Sequence, residues 1–575
     1  MLGAIRAVFY SNLKNMFTNF IPQFKQKLIA VNDNVFVNIL TLLFACFGII
    51  GIFHHELWFD ELQAWLIARD SNSLVDLFQN IRYEGHPGLW HLCLYFLNKI
   101  TDRPLIMQFF HLGIATLSIY LLVKFSPFTR LQKFLFSFGY FPFYEYSLLS
   151  RNYALGILLC FIFCVYFQQR NRKYVLLFFI LALAANTNVH SLLIAVWLGA
   201  TLIFEYFLKQ KLSLESPTAK KKLLIGIVVF SLGIILAISQ LVPPEDRPVN
   251  TLFRPENQQE LVAPEISVEN SSDELKVIQE ESKRDVSEFA IVILKRISTM
   301  FDFLTRSYIF LPNFLDYNFW NSSILLLVLP PWKLIIDFLS LGLILFVLSW
   351  LYNKPTILFL YFLGSLTILL LTIKIGIATN PRHYGHLFIL FILCLWLANS
   401  AYKFDWLAKI FPGKTIHLSR GLENRKYKNF FLSLILSIHL FAGLLSYSLD
   451  LVYPFTVSKQ VANFLQQDRF DNFLIVGNPD FPVSSLAAYL EQPIYHPESN
   501  RFGSFIIWND RRNEIDEFQL WEKVSNLKQE TARKILLVST QDFSQSSPEV
   551  ELVKLKQFGR SIVIYEEYYY VYRVE

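Results

Sequence analysis

Val35-Phe-Val-Asn-Ile-Leu-Thr-Leu-Leu-Phe-Ala-Cys-Phe-Gly-Ile-Ile-Gly-Ile-Phe53 is a long apolar run without a charged residue, and Trp58-Phe59-Asp60-Glu61 follows close behind it. A helix of that length matches the hydrocarbon core of a bilayer. Carboxylates at the edge of a membrane lose solvation, a cost that persists only where the groups are used or paired. The polar segment opened by Asp60 and Glu61 runs on to Glu84-Gly85-His86-Pro87.

Composition agrees with a membrane reading. Soluble domains are about 45–50% apolar and about 25% charged. This chain of 575 residues is 54% hydrophobic and 17% charged. Its net charge of +6 is too small to indicate nucleic-acid binding and fits basic loops beside a membrane. Five cysteines (Cys46, Cys93, Cys160, Cys164 and Cys394) lie in apolar segments, with neither a disulfide framework nor a metal-type spacing. Residues 1–34 read as a cytoplasmic amphipathic segment rather than a cleaved signal peptide.

The expected fold is mainly α and polytopic, with about eleven spans and a small C-terminal α/β domain. The spans are placed near 35–53, 104–123, 134–150, 152–168, 174–189, 191–208, 223–242, 323–351, 355–375, 384–402 and 429–449. Pro330-Pro331 should break the eighth, and residues 88–100 are too short to cross and should lie along the surface. With the N-terminus cytoplasmic, every inward loop is basic: Lys124 to Lys133, Arg170 to Lys173, Lys209 to Lys222, Lys354, and Lys403 to Lys428. That asymmetry places the 54–103 loop and the acidic 244–290 loop outside. Residues 452–575 alternate β-like runs (473–477, 504–508, 535–539, 561–565) with helical stretches such as 513–530, an extracytoplasmic α/β domain. Gly477-Asn-Pro-Asp480 follows a strand without a glycine-rich phosphate loop, so the domain's expected role is structural or acceptor-facing.

In this topology Asp60, Glu61, Arg69, Arg82, Glu84, His86, Arg151, His190, Arg382 and His383 fall at the outer ends of spans, with Glu145 just inside the third. A carboxylate there can deprotonate an acceptor, and arginines can hold a phosphate bidentately. Each residue alone has a structural alternative: a helix cap for Asp60-Glu61, an interfacial anchor for Arg151 or Arg382, a packing role for His190. Their joint placement on one side is the stronger signal.

Five motifs in order resemble those of the GT-C membrane glycosyltransferases, in the branch of the protein O-mannosyltransferases and aminoarabinose transferases. They are Trp58-Phe59-Asp60-Glu61 with Ala64 and Ala68, Glu84-Gly-His-Pro87-Gly-Leu-Trp-His91, Pro142 through Arg151-Asn-Tyr-Ala-Leu155, Thr187-Asn-Val-His190, and Pro381-Arg-His-Tyr384. The likeness covers roughly residues 35–400. It implies transfer of a sugar from a polyprenyl-phosphate-linked donor to a glycan, lipid or protein acceptor on the extracytoplasmic side. Asp60 would be the general base, and Glu61 would position the acceptor or share a divalent metal ion, which is possible but not required. Arg151, Arg382 and His86 would neutralise the leaving phosphate, and His190 would orient a carboxylate or the phosphate. Asn152 and Leu149 depart from the pattern and put the usual partner of Arg151 in question, with Glu145 a candidate substitute. The rival classes are a lipid transporter, which would need midplane ionisable residues and internal repeats, and a catalytically silent relative that binds envelope components.

Overall fold

A computed structural model of the chain describes residues 32–211, 217–247, 296–315, 317–327, 330–375, 380–403, 425–543, 550–563 and 568–575. Nearly all of the amphipathic 1–34 segment, nearly all of the acidic 244–290 loop and most of the basic stretch after Lys403 lie outside the described residues.

The first part of the chain is helical. Its elements are α1 (Asp33–His54), α2 (Phe59–Asp70), α3 (Leu74–Asn80), α4 (Leu89–Leu97), α5 (Leu105–Phe125), α6 (Arg130–Ser137), α7 (Tyr153–Phe167), α8 (Arg170–Ala185), α9 (Val189–Lys211) and α10 (Pro217–Leu241). Then come α11 (296–308), α12 (Pro330–Leu351), α13 (Pro355–Ile375), α14 (Pro381–Ala398) and α15 (Arg425–Val452). Among the described residues, seven helices are long and apolar enough to cross a membrane: α1, α5, α9, α10, α13, α14 and α15. This is compatible with a multi-pass membrane protein. Large apolar side chains on α1 (Leu42, Phe53) and α10 (Leu232, Ile235) are exposed, as lipid-facing positions would be. α14 is buried from Pro381 to Ala398 and forms the axis of the bundle.

Among the described residues, eleven continuous spans are not seen. The 134–150 segment is the clearest departure: it is the short helix α6 followed by a π-helical turn over Tyr140–Glu145. Pro142 lacks an N–H and Gly139 is extended, so a regular ladder cannot run through. The irregular backbone is covered by protein on all sides, the condition under which such a break is tolerated at membrane depth. Gly443 of α15 makes the cover possible, since a Cβ there would fall 2.5 Å from the Phe138 carbonyl. The segment nevertheless joins the two ends of α1. Arg130 pairs with Asp33 at one end, and the Ser150 N–H donates to Glu61 beyond the other. α7 and α8, with 15 and 16 residues, are also shorter than a full span.

Basic side chains gather at the end away from Asp60. Arg170 and Lys209 pair with Glu205, and Arg170 also donates to the Ser400 carbonyl at 3.0 Å. Lys354 donates to the Ala401 carbonyl at 3.0 Å.

The C-terminal domain contains α16 (Ser458–Leu465), α17 (Asp480–Val483), α18 (Leu486–Leu490) and α19 (Glu517–Thr531) around one sheet. The strands are β1 (Leu474–Asn478), β2 (Ile494–His496), β3 (Arg501–Gly503), β4 (Ile535–Ser539), β5 (Leu552–Phe558) and β6 (Tyr569–Val574), in the order β3-β2-β1-β4-β6-β5. β1 is parallel to both β2 and β4. α16 and α18 cover one face and α19 the other. The β-like run 504–508 is not a strand. Its backbone is taken by Gln63 of α2, which accepts from the Ile506 N–H (3.0 Å) and donates to its carbonyl (2.8 Å). Phe505 joins the apolar cluster under α2, so the run fastens the domain to the Asp60 helix.

Candidate functional site

α2 starts immediately after α1 because Glu61 caps it. The Glu61 carboxylate accepts from the Trp58 N–H at 3.0 Å, the capping-box arrangement that satisfies an orphan donor of the first turn. The same carboxylate accepts from His55 at 3.2 Å and from the Ser150 N–H at 2.5 Å. His55 also contacts Asp450 of α15 at 2.8 Å. Burial disfavours the imidazolium, but the two carboxylates outweigh it and raise His55 to about 10. Glu61 is therefore a buried keystone between α1, α2 and the 146–152 loop, not an open ligand.

Asp60, one position earlier, faces the other way. Its side chain keeps 27% of its surface exposed and pairs with Arg151 and, at 3.2 Å, with Arg382. Burial opposes ionisation, yet the two guanidinium groups hold the Asp60 carboxyl below its usual range. Arg151 thus finds its carboxylate in Asp60. Glu145 does not substitute: it accepts from Tyr140 Oη at 2.8 Å and Trp320 Nε1 at 3.3 Å. Arg382 enters at the first turn of α14, which Pro381 opens. Its guanidinium lies 5.5 Å from the Trp58 ring and 5.4 Å from the Trp320 ring, within cation–π reach.

Behind the arginines lies a group of histidines. His190 stacks on His386 at 4.5 Å and lies 5.1 Å from His383, ring centre to ring centre. Tyr153 is 5.2 Å from His386 and 6.5 Å from His86. The Asn188 side chain sets this up by capping α9 at the Ser191 N–H (2.8 Å) and donating to the Asn152 carbonyl (3.3 Å). The His386 Nδ1 donates to the Arg382 carbonyl at 2.9 Å, which leaves Nε2 as an acceptor. Both nitrogens of His190, Nδ1 of His383, Nε2 of His386, Nδ1 of His86 and Oη of Tyr153 are buried without a protein hydrogen-bond partner. Buried polar atoms are rarely left unmet, so their convergence marks a place for a polar ligand or water. Burial, reinforced by Arg151, lowers His86 to about 4, so it meets a ligand as the neutral ring. Glu84 accepts from Gln63 at 2.9 Å, and burial raises it to about 7.

The structure therefore brings together Asp60, His86, Arg151, His190, Arg382 and His383, with Glu145 at the edge. Arg69 is not among them, since it pairs with Asp70 at the far end of α2. As built, the residues do not fit a metal shared by Asp60 and Glu61. Glu61 spends both oxygens on protein donors, and Asp60 sits between two cations. His386 and Trp320 escaped the sequence reading, and Tyr153 entered it only as part of the Arg151 motif, without a role. The i, i+3 spacing of His383 and His386 on one helix was the available signal, whereas nothing in sequence marked Trp320. Comparison with protein-family models and with curated proteins finds no match for this chain.

Proposed function

We propose that this protein is a GT-C-type glycosyltransferase that moves a sugar from a polyprenyl-phosphate-linked donor to an envelope or secretory acceptor at the extracytoplasmic face of a bacterial plasma membrane. The observation that carries the reading is one part-exposed carboxylate, Asp60, held between Arg151 and Arg382 beside buried, unmatched polar atoms. In this reading the broken 130–152 segment counts as a pass, giving eleven with the N-terminus cytoplasmic and the C-terminal domain outside.

Two cations on one carboxylate leave positive charge for an anionic donor. The donor phosphate competes for Arg151 and Arg382, and Asp60, relieved of its partners, gains basicity. The acceptor oxygen then attacks the anomeric carbon, its proton passes to Asp60, and the bond from that carbon to the phosphate oxygen breaks. The electron pair leaves with the polyprenyl phosphate, whose new charge the guanidinium groups stabilise. Attack opposite the leaving group inverts the anomeric centre. His190, His383 and His386 supply lone pairs or N–H groups to the sugar or phosphate.

The test is donor dependence in an Arg382→Ala variant inserted normally in the membrane. The apparent KM for the lipid donor should rise at least tenfold, and an unchanged donor KM removes Arg382 from the phosphate seat.

A further inference from the structure

The C-terminal domain has a cleft of its own. It occupies about 260 Å³ at the carboxyl ends of β1 and β4, between Asn478, Glu498, Arg512, Asp516, Gln541 and Phe543. The chain leaves β1 through α17 and α18 on one face of the sheet and returns to β4 through α19 on the other. That reversal makes the β1–β4 boundary in the middle of the sheet a topological switch point, where open α/β sheets bind ligands.

One buried carboxylate oxygen there lacks a partner. Glu498 is 3% exposed, and its Oε1 accepts from Asn478 Nδ2 at 2.8 Å and the Asp480 N–H at 3.1 Å. Its Oε2 is buried without a hydrogen-bond partner, and Glu498 is one of the residues that line the cleft. Burial, with Asp480 nearby, raises Glu498 to about 7, so it can accept or donate near neutrality. The lining also decides against anions. Glu514, Asp516 and Glu517 add negative charge, and the Arg512 guanidinium is already bound bidentately to Asp480 at 2.7 and 2.8 Å. Carboxyl and amide groups beside the apolar side chains of Phe481 and Phe543 match the mixed hydroxyl and C–H surface of a sugar ring. Phe481 also packs on Phe59, the neighbour of Asp60, at 5.2 Å between ring centres.

We infer that this cleft binds a sugar unit without negative charge, as the docking subsite for a carbohydrate acceptor whose reacting end reaches Asp60. The inference rests on the transferase reading above and adds to it the acceptor's class and its seat.

The test uses the full-length protein in a detergent without a sugar headgroup, carrying Asp60→Asn so that turnover is suppressed. Saturation-transfer NMR is run with mannose, N-acetylglucosamine and glucosamine as probes and glucuronate as the anionic control. At least one of the three should bind, and glucuronate should not. Glu498→Gln alters the unmatched atom without changing its shape, and Gln541→Trp fills the cleft from its exposed rim. Each should weaken binding about tenfold or more and, in the Asp60 background, raise the acceptor KM while leaving the donor KM unchanged. Absence of binding by all three probes, equal binding of glucuronate, or full binding in both variants overturns the cleft assignment and leaves the transferase reading standing. Intact cleft binding in a wild-type protein that transfers no sugar would instead remove the transferase reading and with it the acceptor role.

Discussion

Glu61→Gln should unlock the Asp60 helix, because the two oxygens of Glu61 serve separate donors. One takes the Ser150 N–H, the other the Trp58 N–H and His55. An amide has a single acceptor oxygen, so either orientation aims its NH2 at a buried donor. An unmet buried donor costs about 1–3 kcal/mol. His55 keeps Asp450 at 2.8 Å but loses half of its counter-charge, so the total is about 2–4 kcal/mol, short of the roughly 3–5 kcal/mol for breaking a whole buried pair. At 1.4 kcal/mol per factor of ten, amides of the first turn of α2 should exchange about 30- to 700-fold faster by local opening. The effect has a pH signature. His55 is raised in the fold from 6.5 to about 10, so its stabilising contribution is fully present below pH 6.5 and is lost as pH rises through 10. Its full size is of order 5 kcal/mol. Glu61→Gln lowers the folded value, so the alkaline loss of protection should be smaller and complete at lower pH. Hydrogen-exchange mass spectrometry of 55–66 from pH 6 to 10 reads both effects. Wild-type protection in Glu61→Gln across that range would refute the keystone role.

Two further outcomes follow from the packing. Gly443→Ala places a Cβ against the Phe138 carbonyl and should cost about 1–3 kcal/mol, read as a lowered Tm in detergent; an unchanged Tm would mean that the 138–145 segment yields easily. Gln63→Ala removes both bonds to Ile506, and the 504–508 run should become sensitive to limited proteolysis while the membrane helices stay intact; wild-type resistance would show that Phe505 packing alone holds the domain.

The long helices were legible because each needs only a local apolar run. So was the grouping of Asp60, Arg151, His190 and Arg382, since charge asymmetry sorts span ends without distances. The 134–150 segment was not, because its apolar composition is the same whether it runs as a helix or breaks at Gly139 and Pro142 under the cover of Gly443. The opposed roles of Asp60 and Glu61 were hidden too. Adjacent residues on a helix point about 100° apart, and only tertiary contacts tell which of them faces Ser150 and which faces Arg151. β2 and β3 are three residues each, too short for alternation to show.

The most direct measurement of the central claim is sugar transfer from a polyprenyl-phosphate donor by purified, correctly inserted Asp60→Asn protein. A general base contributes roughly 10²–10⁴-fold. The account predicts a fall in kcat of that order, with lipid-donor binding retained through Arg151 and Arg382. Transfer at the wild-type rate would contradict it.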